Sequence, residues 1–184
     1  MMDKALIANI IVIILELAGF NISRSRGLMM LVFYTQLSNL VTLVSSVCYL
    51  ISSDSAFTAS MRYLSTVMLT MTVLVTLFVL IPSGAGFARM MLTGNGLFHH
   101  TLCPAVSITS YMLWEQHSSA WAVPVIVTFI YGVVMLYLNH AEIVDGPYPF
   151  LRIRQQSVKA TVIWMTVLIV LVTGLSLGIA YAAK

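Results

Sequence analysis

The stretch Gly94-Asn95-Gly96-Leu97-Phe98-His99-His100-Thr101-Leu102-Cys103-Pro104 sets two histidines just inside an apolar run that continues to Trp114. Imidazole is costly in hydrocarbon. Ionisable side chains at membrane depth are rare, face the interior of a helix bundle, and mark functional sites by default. The composition of the whole chain says that hydrocarbon is the relevant solvent: 60% of its 184 residues are hydrophobic, 8% are charged, and the mean hydropathy is +0.98. A soluble domain averages about 25% charged residues, and a chain this poor in charge cannot cover a water-facing surface.

Other classes fall away on the same figures. The net charge is +3, and the Lys and Arg residues are scattered singly or in pairs. No basic stripe forms a nucleic-acid footprint. Cys48 and Cys103 sit at different depths of different apolar runs, so no disulfide is expected between them. The first apolar run could pass for a secretion leader, but Glu16 within it and the lack of a small-x-small cleavage site favour a retained helix.

Six apolar runs stand out, at about residues 5–20, 28–51, 63–81, 97–114, 120–138 and 158–182. Each approaches the ~20 residues needed to cross ~30 Å of hydrocarbon at 1.5 Å per residue. Ser23-Arg24-Ser25-Arg26-Gly27, Ser52-Ser53-Asp54-Ser55, Pro82-Ser83-Gly84 and Asp145-Gly146-Pro147 punctuate them. The expected fold is therefore all-α, a single polytopic domain over residues 1–184 with six transmembrane helices. Six crossings put both termini on one side with Lys4, Arg62 and Lys184, and Arg24, Arg26, Arg89, Arg152, Arg154 and Lys159 on the other. The positive-inside tendency makes that second side cytoplasmic and the termini external.

On this topology several polar residues share a layer. Thr35 lies seven residues into the second run, roughly 10 Å deep, and His100 three residues into the fourth, roughly 5 Å. Glu16 lies four residues from the same-side end of the first run, and Asn139 and His140 close the fifth there. Such convergence in an apolar bundle is the signature of a pocket with a few placed polar groups. Thr35, Ser38, Asn39, Thr42, Ser45, Ser46 and Tyr49 recur at three- and four-residue spacing and so form one inward-facing stripe, whose members also suit simple helix-helix bonding.

His99 and His100 point ~100° apart on a helix, so one is expected to be functional and the other structural. His100 shares a face with Pro104, Ser107 and Tyr111, and His99 with Cys103, Val106 and Ser110. Asn95 reads as the cap of the helix that follows. Glu16 has two readings, pairing with Arg24 or Arg26, which is favoured, or orienting a histidine. Glu115 and His117 read as solvated residues of the fourth connection.

Phe33-Tyr34-Thr35-Gln36-Leu37-Ser38-Asn39, the histidine stretch ending at Pro104, and Tyr148-Pro149-Phe150-Leu151 occur in an order that resembles the androgen-induced-gene-like membrane proteins. That family includes the androgen-dependent TFPI-regulating protein, and the likeness is closer to its small bacterial six-helix branch. The resemblance implies an intramembrane hydrolase with a threonine nucleophile and a histidine base, acting on lipid esters such as fatty acid esters of hydroxy fatty acids. It carries the nucleophile onto Thr35 and the base onto His100, or onto His99 if the spacing to the proline is five rather than four. Asn39 or a backbone amide near Gly96 is the candidate oxyanion donor. Asn39, Asn95, Glu16, His140 and Tyr148 are the supporting candidates.

On this reading the partner is a lipid drawn from the bilayer, with no nucleic acid, cofactor or metal. Two rival readings use the same residues. In one the cluster binds a polar headgroup in a non-catalytic lipid-binding or transport bundle. In the other His100 and His140 ligate a haem between neighbouring helices.

Overall fold

The computed structural model describes residues 3–145 and 148–182, so the punctuating Gly146 and Pro147 and the charge of Lys184 lie outside the described residues. Among the described residues there are helices and turns and no strand. Helix α1 (Lys4–Ser23) opens on Asp3, whose carboxylate accepts the Ala5 amide at 3.1 Å and so satisfies one of the free first-turn donors. The chain then tightens into a 3-10 stretch, Arg24–Val32, within which Gly27 takes a φ of 56°, a left-handed conformation that glycine adopts without steric cost. Phe33 is extended, and α2 (Tyr34–Ile51) begins after it.

That break corrects the expected second run. Hydropathy alone reads 28–51 as one helix, because exposed Leu28 and Met29 are as apolar as a helix core. The chain instead turns there, and Thr35 stands in the first turn of α2 rather than two turns inside it.

Helix α3 (Ala56–Val75) is capped by the Ser55 hydroxyl and continues as a wide-turned π segment, Thr76–Ala85. A second such turn (Ala88–Leu92), the single turn α4 (Gly94–Gly96), a third π segment (Leu97–Leu102) and α5 (Cys103–Trp114) follow. Helix α6 (Ala122–His140), two short 3-10 turns (Pro149–Leu151 and Ile153–Gln155) and α7 (Val158–Ala182) complete the chain. Among the described residues four stretches are long and apolar enough to cross a membrane: 4–32, 56–85, 122–140 and 158–182. The polar stripe of α2 and the brevity of α5 keep the other two expected runs out of that set.

Helix α3 is the hub, packed on α2, α5, α6 and α7, with Tyr63, Val67, Met68, Leu69 and Met71 buried. What covers the outside is apolar: Ile126, Phe129 and Ile130 of α6 and Val162, Val170 and Leu177 of α7 are exposed. What fills the inside is often polar, with Asn9, Glu16, Asn39, Arg62, Thr66 and His99 each 0% exposed. A water-soluble domain does the reverse. This inside-out distribution is that of a membrane protein, in which lipid solvates the apolar faces and polar groups must find partners within the bundle.

Candidate functional site

The α2 stripe points inward as its spacing predicts: Thr35, Ser38, Asn39, Thr42, Ser45, Ser46 and Tyr49 are all buried. Three separate polar groups contact it. The one at the far end from Thr35 is an ion pair. Arg62 of α3 donates from Nε to Glu115 Oε2 at 2.7 Å and from Nη2 to Glu115 Oε1 at 2.9 Å, with its other donors on the Ser45 and Ser46 hydroxyls and the Ser107 carbonyl. Glu115 also accepts from Asn9 and Ser110. Glu115 is therefore no solvated loop residue, and Arg62 no surface charge. Only His117 is exposed as expected, and its Nε2 lies 2.9 Å from the Tyr111 carbonyl oxygen.

The second group surrounds His99. Its Nε2 lies 3.3 Å from Glu16 Oε2, its Nδ1 lies 3.2 Å from Gln36 Nε2, and its ring meets Phe20 edge-on with centroids 4.8 Å apart. Gly19 makes room for it, since a Cβ there would stand 2.5 Å from His99 Cδ2. The favoured pairing of Glu16 with Arg24 or Arg26 is thus overturned. Both arginines are exposed beyond the end of α1, whereas Glu16 faces the bundle interior, where His99 is in reach. Asn39 ties this group to α2 by donating from Nδ2 to the Thr35 carbonyl at 2.7 Å and to the His99 carbonyl at 3.3 Å. With its amide spent on two backbone oxygens, Asn39 is a brace and not an oxyanion donor.

The third group lines a cleft between the start of α2, α3 and its wide-turned continuation, α6, α7 and the segment after α6. The cleft is narrow and holds about 540 Å³ of empty volume, part of it open at the mouth. Its walls are mostly apolar, including Met71, Val75, Leu80, Met165, Leu168 and Ile169. Thr35, Thr72, Thr76, Thr128 and Tyr148 are the hydroxyl-bearing lining residues that the hydrogen bonds below connect. The Thr35 amide donates to the Tyr148 hydroxyl at 3.3 Å, and the two hydroxyl oxygens are also 3.3 Å apart. Tyr148 is held by stacking on Phe150, centroids 5.2 Å apart. Burial pushes its phenol above the ordinary tyrosine range. Ser38 bridges the Thr35 carbonyl, at 2.8 Å, and the Thr72 hydroxyl, at 3.0 Å. Directly behind the wall, the Thr76 hydroxyl lies 2.9 Å from His100 Nδ1.

Of the expected site residues, the cleft therefore collects Thr35 and Tyr148, with His100 reached through Thr76. His99, Glu16 and Asn39 form the adjoining group. Among the described residues no hydrogen bond joins Thr35 to either histidine. Asn95 lies within α4 instead of capping it, Thr93 standing at the cap, and Asn95 Oδ1 is buried without a partner. His140 is exposed at the end of α6 and is not among the cleft's lining residues, whereas buried His100 faces Thr76. No three His, Cys, Asp or Glu side chains among the described residues gather as metal ligands. Missed from sequence are Thr128 of α6 and, on α3, Thr72 and Thr76, which stand four apart on the inner face of an apolar run. That spacing was readable, but in a membrane helix it usually means hydroxyls bonded to their own backbone. Comparison with known protein families, with characterised proteins and with solved structures finds no match for this chain.

Proposed function

We propose that the protein is an intramembrane hydrolase of lipid esters, of the kind that joins a fatty acid to a hydroxy fatty acid, built as a bundle of six membrane-crossing helices. The observation that carries the reading is the cleft: a narrow, mostly apolar slot lined among others by Thr35, Thr76 and Tyr148, with an imidazole against the Thr76 hydroxyl. Hydrolysis by a hydroxyl nucleophile requires a base in hydrogen-bond reach and a donor for the carbonyl oxygen, and this cleft has candidates for both. The likeness to the androgen-induced-gene-like proteins supports the same chemistry and carries the family threonine onto Thr35. On this reading α2 and the 94–114 stretch complete the six crossings with their polar faces turned to the bundle, and the two chain termini lie outside a bacterial plasma membrane.

A second reading, a bundle that holds a lipid without cleaving it, is favoured by one contact: the Thr35 hydroxyl rests on Tyr148 and not on an imidazole. Incubating the purified protein with a fatty acid ester of a hydroxy fatty acid separates the two. Release of free fatty acid at a rate proportional to protein supports the hydrolase, and saturable binding with no release supports the holding bundle.

A further inference from the structure

Resting on the hydrolase reading of the cleft, we propose that the attacking hydroxyl is that of Thr76, with His100 as its base and Tyr148 as the donor to the substrate's carbonyl oxygen. Thr76 lines the cleft, and its Oγ1 is 2.9 Å from His100 Nδ1. That is the distance a nucleophile and its general base require before reaction. Thr35 lacks this contact. Its hydroxyl is near Tyr148, and its carbonyl is occupied by Ser38 and Asn39.

The local backbone fits the assignment. Thr76 is the residue at which α3 gives way to wide turns, its amide shared between the Thr72 and Val73 carbonyls, and His100 stands in a second wide-turned segment. Wide turns are rare in helices and recur at functional sites, where they free a residue from the regular ladder. A threonine in an undisturbed helix bonds back to the carbonyl four residues before it, as Thr66 and Thr70 do. Thr76 faces the imidazole instead.

With the imidazole proton on Nε2, Nδ1 accepts the Thr76 proton as Oγ1 bonds to the ester carbonyl carbon. The carbonyl π pair moves to its oxygen, which the Tyr148 hydroxyl meets. Collapse breaks the bond to the alcohol oxygen, which takes the proton back from Nδ1 and leaves an acyl ester on Thr76. Water then bonds to the acyl carbon as Nδ1 takes its proton, the acyl–Oγ1 bond breaks, and Thr76 Oγ1 takes that proton back as the fatty acid leaves. Thr35, donating its amide to Tyr148, is the positioning residue for that phenol.

The test is a long-chain alkyl fluorophosphonate applied to the wild-type protein in detergent, followed by peptide mass mapping, with ester turnover measured in parallel. An adduct on Thr76 is expected, absent in Thr76→Val and His100→Ala, with at least ~100-fold slower turnover in both variants. Thr76→Ser, which keeps a hydroxyl, should retain the adduct, and Thr42→Ala should behave as wild type. An adduct on Thr35, turnover by wild type with no adduct on Thr76, or undiminished turnover by Thr76→Val overturns this assignment while leaving the hydrolase reading standing. Wild-type protein that neither turns over ester nor takes the probe overturns both. Because the mapping is made on wild type, misfolding of a variant does not blunt it.

Discussion

The Arg62 guanidinium and the Glu115 carboxylate face each other in two parallel bonds of 2.7 and 2.9 Å, each side chain 1% exposed. They join α3 to the end of α5 across 53 positions of sequence, and Asn9 brings α1 onto the same carboxylate at 3.0 Å. A carboxylate and a guanidinium fixed in this way hold three helices in one rotational setting. The pair anchors the end of the bundle away from the cleft.

Breaking it should therefore cost more than losing its attraction, because the surviving charge stays buried. Arg62→Met and Glu115→Gln are each expected to lower stability by about 3–5 kcal/mol. Thermal unfolding in detergent measures this, and Arg62→Met combined with Glu115→Leu should recover much of the loss. Single variants that melt with the wild type would show that the pair is solvated in the membrane.

Gly19 is predicted to tolerate no side chain. A Cβ would press into the His99 ring, so Gly19→Ala should cost about 1–3 kcal/mol and displace His99 from Glu16. Gly174, with nothing within 4 Å of its Cβ position, is the matched control and should accept alanine.

The adjacent histidines should separate by effect. His100→Ala is expected to leave a folded protein with turnover reduced by ~100-fold or more, since Nδ1 is the group in contact with Thr76. His99→Ala removes the neighbour of buried Glu16 and should act mainly on stability, with a moderate fall in turnover. Measuring melting temperature and kcat on the same preparations checks both, and the reverse pattern would move the base to His99.

Tyr148 carries a pH prediction. Burial raises its phenol above the ordinary tyrosine value, so the native state favours the neutral hydroxyl. That contribution is complete below about pH 10, the unfolded value, and is lost as the pH rises through the higher native value. Tyr148→Phe should abolish this part of the alkaline loss of stability, seen as a shallower fall in melting temperature above about pH 10. The same variant should lower turnover at neutral pH.

Membrane orientation can be read by thiol labelling in a background lacking Cys48 and Cys103. With Arg62 spent on Glu115 and Arg154 on Glu142, the exposed positive charge still gathers on one side, at Arg24, Arg26, Arg89 and Lys159. Cysteines at Ser25 and Ser157 are expected to be shielded from an impermeant reagent in intact cells, and one at exposed Ser52 to react. Ser52 serves better than Ser55, whose hydroxyl caps α3. Labelling at Ser25 and Ser157 alone would invert the arrangement.

Much of this protein was decided by the sequence itself. Apolar runs in a charge-poor chain dictate helices in lipid, because no other element except a closed barrel satisfies its backbone there. The three- and four-residue spacing from Thr35 to Tyr49 dictates one buried polar face, because those positions overlie one another on a helix. The adjacency of His99 and His100 dictates that they serve different neighbours.

Which neighbours they serve was decided only in three dimensions. A partner across a helix interface is selected by the rotation of each helix about its axis, and one residue turns that by ~100°. The break at Phe33 and the wide turns at 76–85 and 97–102 shift those settings in ways that hydropathy does not register. Glu16 therefore meets His99 and not an arginine, Arg62 meets Glu115 and not solvent, and His100 meets Thr76, because unpaired polar groups in an apolar medium are held where a partner lies within reach.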